Sequence, residues 1–253
     1  VRACAAASFA ALFTAAGGHG TEYAKGMPEP VRAGFEAQFL RIPKTQEEAR
    51  RMVDELAAKK VDAIKGILEA GVPGYTFNRM NLDLLRAVVE EAHAKKLPAS
   101  IHTGEARDVI DAVSLGADSI EHGSFQDEIP DATIAEMKAR GIAYDPTLSV
   151  VEALSDFAKG KTDLLKRSLV QQVTPKDLLT GTEHAASSDA TKKMLYGLSH
   201  YPLSLEICGR NLLKSLHARV LLVTGSHAGT TLALPGPTLV ARVQLCVAAG
   251  LRL

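Results

Sequence analysis

Residues 98–124 read PASIHTGEARDVIDAVSLGADSIEHGS, two short apolar runs that each end in a histidine with a helical pattern between them. The histidines, His102 and His122, are twenty residues apart, about the length of one strand–helix unit. The carboxyl ends of neighbouring strands in a parallel barrel meet at one rim. The spacing therefore predicts two imidazoles side by side at that rim, where neutral ring nitrogens suit a zinc ion. Two hydrogen-bonded core histidines are the alternative.

The same alternation runs along most of the chain. Helical patterns cover 44–60, 82–96, 106–116, 131–141 and 237–250, and strand patterns cover 61–66, 98–102, 117–122, 142–148 and 217–225. The first of these helices begins with Thr45 followed by Glu48, which is the pattern of a capping box. Strands alternating with helices of this length predict a parallel sheet with right-handed crossovers. The fold class is therefore α/β, of the (β/α)₈ barrel type, in a single domain over residues 1–253.

One stretch interrupts the alternation. Residues 149–216 contain several helical segments and no clear strand, which is too long for one strand–helix unit. We interpret it as a helical insertion before the last strand. Such an insertion can act as a lid over a barrel site or as a cap without catalytic contact, and the pattern does not choose between them.

Composition narrows the classes of partner. Lys plus Arg and Asp plus Glu number 29 each, and aromatic residues make up 5 %, so the chain has no feature of a nucleic-acid-binding protein. No run of eighteen apolar residues occurs, so no membrane partner is expected. Three scattered cysteines, at 4, 208 and 246, have no zinc or disulfide spacing and are expected to be buried apolar residues. The start of the chain, 1–18, reads either as a signal peptide or as a strand that leads into GGHG (17–20).

Four strings carry a resemblance: GGHG (17–20), VDAIK (61–65), HTGEARDVIDAVSLGADSIEHGS (102–124) and YDPTLSV (144–150). Together they resemble the amidohydrolase superfamily, in the branch that contains imidazolonepropionase-like and prolidase-like enzymes. The resemblance implies a (β/α)₈ barrel with one or two divalent metals, zinc first among them. It also implies hydrolysis of amide, peptide or other C–N bonds in small-molecule or peptide-like substrates, by a water that the metal activates.

The resemblance assigns roles to individual residues. His102 and His122 match metal-ligating histidines on successive strands, and Lys65 matches a lysine whose carboxylated amine bridges two metals. His19 resembles a histidine that contacts substrate. For Lys65 the alternative is a partly exposed lysine at a strand end, and for His19 it is a purely local hydrogen bond.

The chain also departs from the family pattern. It contains no His-x-His pair, which supplies two metal ligands in the family, and its first strand resembles the family's third. We therefore expect an incomplete barrel, about strands 3 to 8, truncated at both ends. In VTGSHAGT (223–230) His227 stands where the family has a catalytic aspartate, so His227 is the candidate proton shuttle. Further on, Pro235 stands where the family usually has a histidine, and Arg242 where it has an acidic residue.

Two functional hypotheses follow from these matches and departures. The first is a metal-dependent hydrolase, and the alternative is a catalytically inactive fragment or degenerate homologue that has lost ligands. Unpaired sheet edges lead us to expect poor solubility, a homo-oligomer, or missing elements that are supplied elsewhere. The compartment is not determined by the sequence, with the cytoplasm slightly favoured over secretion.

Overall fold

A computed structural model describes residues 11–25, 27–72, 75–158, 161–187 and 203–225, together with 240, 244–247 and 250. The strands are β1 (Leu12–Phe13), β2 (Leu40–Arg41), β3 (Ile64–Ile67), β4 (Gly71–Val72), β5 (Tyr75–Thr76), β6 (Ala99–His102), β7 (Ser119–Glu121), β8 (Ala143–Asp145) and β9 (Leu221–Leu222). The helices are α1 (Glu29–Phe39), α2 (Gln46–Ala58), α3 (Leu82–Ala94), α4 (Ala106–Leu115), α5 (Asp131–Arg140), α6 (Leu148–Ala158), α7 (Ser168–Val173), α8 (Lys176–Ser187) and α9 (Leu205–His217), with 3₁₀ turns at Thr21–Ala24 and Asp163–Lys166.

Seven strands form one open parallel sheet in the order β2-β1-β3-β6-β7-β8-β9, and β4 and β5 form a separate antiparallel pair. From β3 to β8 the strands are neighbours in chain order, with α3, α4 and α5 as the crossovers. The predicted α/β fold, an incomplete barrel, is confirmed. One departure from sequential order occurs at β2, which lies on the far side of β1 from β3.

Local sequence explains where the helices begin and end. The Thr45 hydroxyl accepts a hydrogen bond from the Glu48 amide at 3.2 Å, as the capping box predicts. The reciprocal bond differs by one residue, because the Glu48 carboxylate accepts from the Lys44 amide at 2.7 Å. Helix α3 is capped by the Asn81 side chain, and α4 ends at Gly116, whose φ of 94° is in the left-handed region.

Two predicted strands need correction, and several short elements were not predicted. The strand predicted to end near Lys65 continues to Ile67, because Gly66 lacks a side chain and fits against Leu85, where a Cβ would lie 2.5 Å from the leucine Cδ1. The late strand predicted over 217–225 shrinks to β9. Ala218 caps α9 in the helical region and Arg219 has a left-handed φ of 60°, so pairing with β8 begins only at Leu221. Helix α1, strand β2 and the β4–β5 pair had no sequence prediction, and α1 buries none of its residues.

The described parts of the segment between β8 and β9 contain helices joined by short connections, and no strand occurs among these described residues. The predicted helix at 237–250 lies mostly outside the described residues, as do Cys4 and the first ten residues. Cys208 and Cys246 are buried, as expected, and neither forms a disulfide. Among the helices of the described ranges, none is long and apolar enough to cross a bilayer.

The main core lies between the sheet and the crossover helices. Its largest fully buried members include Phe13, Ile64, Ile101, Ile120 and Tyr144, all on strands of the sheet. A second cluster lies between α6, α9 and the segment after β7, and contains Phe125, Leu148, Val151, Cys208 and Leu212. Phe125 of the second cluster belongs to the loop that follows His122, so this cluster anchors that part of the C-terminal rim of the sheet.

Candidate metal centre

His102 and His122 lie at the carboxyl ends of the adjacent parallel strands β6 and β7. His102 is the last residue of β6, and His122 directly follows β7. The β6–β7 register aligns His102 with Glu121, so the two histidines are one residue out of step along the sheet. His122 has a φ of 69° and Gly123 a φ of 72°, both left-handed, which turns the chain sharply after the strand.

The two imidazoles are in direct contact. His122 Nε2 lies 3.0 Å from His102 Nδ1, and the ring centroids are 4.1 Å apart. Both side chains are buried. The structure thus brings these two sequence-predicted residues together in one place.

Each histidine has a second partner on its other ring nitrogen. His102 Nε2 lies 2.6 Å from Glu69 Oε2, and His122 Nδ1 lies 2.5 Å from Thr147 Oγ1. Thr147 is itself held by the Asp145 carboxylate, which accepts from its amide at 3.2 Å, and its φ is 41°. Asp145 and Thr147 belong to the YDPTLSV string, so this part of the site was visible in the sequence.

Glu69 was missed by the sequence analysis. It stands two residues after β3, and its carboxylate is buried between His102 and His19, with 3.9 Å between Glu69 Oε2 and His19 Nε2. The available signal was an acidic residue at the exit of a buried strand on the same rim. That signal is weak alone, because strand exits are rich in polar residues.

His19 has both a local contact and a position beside the histidine pair, the two alternatives that the sequence left open. It makes a local contact, with Nδ1 2.8 Å from the Glu22 carboxylate, and it also lies beside the histidine pair, with its ring centroid 4.7 Å from that of His102. The ligand atoms of His19, Glu69 and His102 lie within 4.8 Å of one another, so this trio could also hold a metal ion. Its composition, two imidazoles and one carboxylate, is a common set of zinc ligands.

Lys65 lies on β3 beside this group. Its ammonium is ion-paired with the Glu121 carboxylate, whose other oxygen accepts from the Ser100 hydroxyl at 2.7 Å. Lys65 is buried, which removes the alternative of a partly exposed lysine. Glu121, the residue before His122, was not singled out in the sequence.

The pKa values of His102 and His19 are shifted in opposite directions by their surroundings. Burial lowers the pKa of His102, against an opposing effect of Glu69, and the nearby charges of His19 and Lys65 lower it further. Burial also acts to lower the pKa of His19, but the hydrogen bond to Glu22 and the charges of Glu69 and Glu22 outweigh it, so that pKa is raised. His102 is therefore biased towards the neutral form that binds metals.

The remaining predicted residue, His227, lies outside the described residues. His93, His184 and His217 are exposed on helices.

Comparison with known proteins identifies the class. A model of the amidohydrolase family matches residues 3–215. Ochratoxinase of Aspergillus niger is 29 % identical over 147 residues, which is 56 % of this chain and 30 % of the relative. The chain belongs to the amidohydrolase family.

Solved structures agree on the fold. The crystal structure of A. niger ochratoxinase matches with a TM-score of 0.63 and 22 % identity, over 95 % of this chain and 49 % of that one. A prolidase complexed with N-methylphosphonate-L-proline matches with a TM-score of 0.59 and 22 % identity, over 94 % and 52 %. The chain thus spans about half the length of these solved relatives.

Proposed function

We propose that this chain carries part of the metal centre of a hydrolase that cleaves amide, peptide or other C–N bonds. The observation that supports this most strongly is the convergence of His102 Nδ1 and His122 Nε2, 3.0 Å apart, at the carboxyl ends of β6 and β7. Two nitrogens bound to one tetrahedral zinc ion at about 2.1 Å lie about 3.4 Å from each other. The metal-free pair is therefore within a few tenths of an ångström of the separation that two ligands need.

The donor set also fits a divalent cation in its chemistry. Both rings are buried, and each has its outer nitrogen occupied by a hydrogen-bonding partner, Glu69 or Thr147. Metal-ligating histidines characteristically have such partners, which orient the ring. His102 and His122 would hold the ion, and His19 would face substrate from the same side.

Lys65 can act as a metal ligand in only one chemical form. As an ammonium paired with Glu121, it cannot ligate a cation. It becomes a ligand only when its amine is deprotonated and carboxylated, which requires the Glu121 pair to open. We propose that Lys65 then bridges two ions, as its counterpart does in two-metal members of the family.

A divalent cation supplies Lewis acidity: it brings the pKa of a coordinated water towards about 7 and polarises the carbonyl under attack. The chain's own residues orient substrate and move protons. His227 is our proposed proton shuttle, and dipeptides and N-acyl amino acids are the substrates to test. Zinc is the proposed ion.

A second candidate is a non-catalytic homologue. It is favoured by the lack of a His-x-His pair in these residues and by His227 at the position of an aspartate. A histidine does not offset the charge of two dications as a carboxylate does. In this case the chain keeps the rim geometry without turnover.

The deciding experiment measures hydrolysis of Xaa-Pro dipeptides and N-acyl amino acids with added Zn²⁺ or Mn²⁺. We expect metal-dependent turnover that His122→Gln lowers by at least about 100-fold, because the ion loses a ligand. The exposed reference variant His217→Gln should keep wild-type turnover. Absence of turnover with every substrate, despite bound metal, would favour the second candidate. Turnover that His122→Gln leaves intact would contradict the proposed site.

A further inference from the structure

We propose that Glu69 is a positioning residue that fixes the tautomer of His102, so that Nδ1 and not Nε2 is the ligand atom. This inference rests on the proposed function, since it concerns the same histidine pair. It assigns a role to a residue that the sequence analysis did not single out.

The backbone places Glu69 at the level of His102. The β3–β6 ladder pairs Ile67 with His102, and the Leu68 amide donates to the His102 carbonyl at 2.9 Å. Glu69 therefore leaves the sheet next to the imidazole. Its side chain fills space that Gly104 leaves open, because a Cβ on Gly104 would lie 2.8 Å from Glu69 Cγ.

Hydrogen-bond chemistry then sets the tautomer. An ionised carboxylate only accepts hydrogen bonds, so the 2.6 Å contact requires the proton on His102 Nε2. In a neutral imidazole the other nitrogen, Nδ1, then carries a lone pair. That lone pair points at His122, the second proposed ligand.

The same reasoning determines which atom donates and which accepts in the contacts of His122 when no metal is bound. Because His102 Nδ1 is an acceptor, His122 Nε2 must donate to it, and His122 Nδ1 must accept from the Thr147 hydroxyl. His122 can bind a cation through Nε2 only after this proton moves to Nδ1, where the Thr147 oxygen rotates to accept it. Cation binding should therefore change the tautomer of His122 and leave that of His102 unchanged, with no net release of protons from the pair.

The rival assignment makes Glu69 a ligand together with His19 and His102. Because Glu69 lies against His102 Nε2, at 2.6 Å, an ion held by this trio would take Nε2 as its ligand, and the proton would then sit on Nδ1. It also leaves His122 without a role. The two assignments thus differ in an observable property of a single ring.

The first test is the tautomer of His102 in the metal-free chain, read from long-range ¹H–¹⁵N correlations of ¹⁵N-histidine-labelled protein. The expected result is a protonated Nε2 on His102, and on addition of Zn²⁺ a change from Nε2–H to Nδ1–H on His122 alone. A protonated His102 Nδ1 in the wild-type chain would overturn the inference, and no variant is needed to see it.

The second test compares Zn²⁺ affinity in four variants. Glu69→Met should weaken binding about 10–100-fold, while Glu69→Gln, which keeps an acceptor oxygen, should restore most of the affinity. His122→Gln should abolish tight binding, and His19→Gln should change it less than about 3-fold. Should Glu69→Met not fold, Glu69→Gln decides, because a carboxylate ligand does not survive its loss of charge.

The outcomes separate the inference from the proposed function. Loss of binding in both His19→Gln and Glu69→Gln, with His122→Gln unaffected, would overturn the inference in favour of the rival site. Tight binding that depends on His122 but not on Glu69 would overturn the inference alone. A chain with the expected tautomer that binds no Zn²⁺ would remove the ligand role of His102, and the proposed function with it.

Discussion

Gly104 stands two residues after His102 and leaves space that the Glu69 side chain and the Phe125 ring occupy. A Cβ at this position would lie 2.8 Å from Glu69 Cγ and 2.9 Å from Phe125 Cζ, both closer than real Cβ contacts. Gly104 also donates its amide to the buried Asp108 carboxylate at 3.1 Å, so its backbone has little freedom to move away.

We predict that Gly104→Ala lowers the free energy of unfolding by about 1–3 kcal/mol, the usual cost of overpacking. It should also displace Glu69 and weaken Zn²⁺ binding. The matched control is Gly181→Ala on α8, where a Cβ would meet nothing within 4 Å. That control should be neutral or stabilising by up to about 1 kcal/mol, because alanine favours helix. Chemical denaturation measures both, and equal stability of the two variants would contradict the packing argument.

Sequence and structure agree on some of these residues and not on others, for physical reasons. The placement of His102, His122 and Lys65 at one rim could be predicted, because each lies on or directly after a strand with an apolar pattern. The contact of Glu69 with His102 could not, because it depends on the β3–β6 register and on the absence of a side chain at Gly104. The apolar pattern of the sequence indicates which residues lie at the rim of the sheet, whereas the strand register determines which of their side chains are in contact.

At the scale of elements, α9 holds the segment that follows β7. The buried Asn211 side chain on α9 donates to the carbonyls of Ser124 and Asp127 at 3.0 and 3.1 Å, and its oxygen accepts from the Ile129 amide at 2.9 Å. One side chain thus satisfies three backbone groups just after the turn at His122 and Gly123. Asn211 is fully buried, and the Ser124 carbonyl also accepts from the Cys208 thiol, with Sγ at 3.8 Å.

We predict that Asn211→Leu, which keeps the volume and removes the hydrogen bonds, lowers the free energy of unfolding by about 2–4 kcal/mol. The reason is that buried backbone groups lose their partners, at about 1–3 kcal/mol each before relaxation. Gln172→Leu on α7 is the control, since its side-chain hydrogen bond to the Ser168 hydroxyl is exposed. It should change stability by less than about 0.5 kcal/mol. Thermal and denaturant unfolding measure both, and a mild effect at Asn211 would show that α9 does not position this loop.

For helices and strands too, local sequence patterns could be predicted and tertiary contacts could not. Helices α2 to α5 were predicted to within about two residues, because each has an amphipathic pattern and a local cap or glycine end. Strand β2 was not, because two residues carry no period and its place beside β1 is a tertiary choice. The late strand was too long in prediction, because the helix cap at Ala218 and the left-handed φ of 60° at Arg219 interrupt extended backbone before Leu221.

At the scale of the whole molecule, the described sheet is open and ends at β2 and β9. Leu221 on β9 has 61 % of its surface exposed, and its strand pairs only with β8 within the described ranges. An exposed apolar edge strand is a template for pairing with another chain. Family membership does not determine whether β9 pairs with another chain, because this chain spans about half the length of its solved relatives.

We predict that the 253-residue chain self-associates and that Leu221→Lys weakens this association. A charge on an edge strand opposes pairing with a second edge. Val31→Lys on α1 is the control, because Val31 is similarly exposed at 57 % but lies on a helix. Sedimentation velocity over a range of concentrations measures the effect. A monomeric wild-type chain, or equal effects of the two lysines, would contradict the prediction.

The most direct test of the central claim, that His102 and His122 hold a divalent cation together, is equilibrium dialysis against Zn²⁺ followed by elemental analysis. The wild-type chain should retain about one tightly bound ion. The double variant His102→Gln/His122→Gln should retain none, and the reference double variant His184→Gln/His217→Gln, at exposed helical positions, should match the wild type. A wild-type chain that retains no zinc, or equal zinc in the two double variants, would contradict the claim.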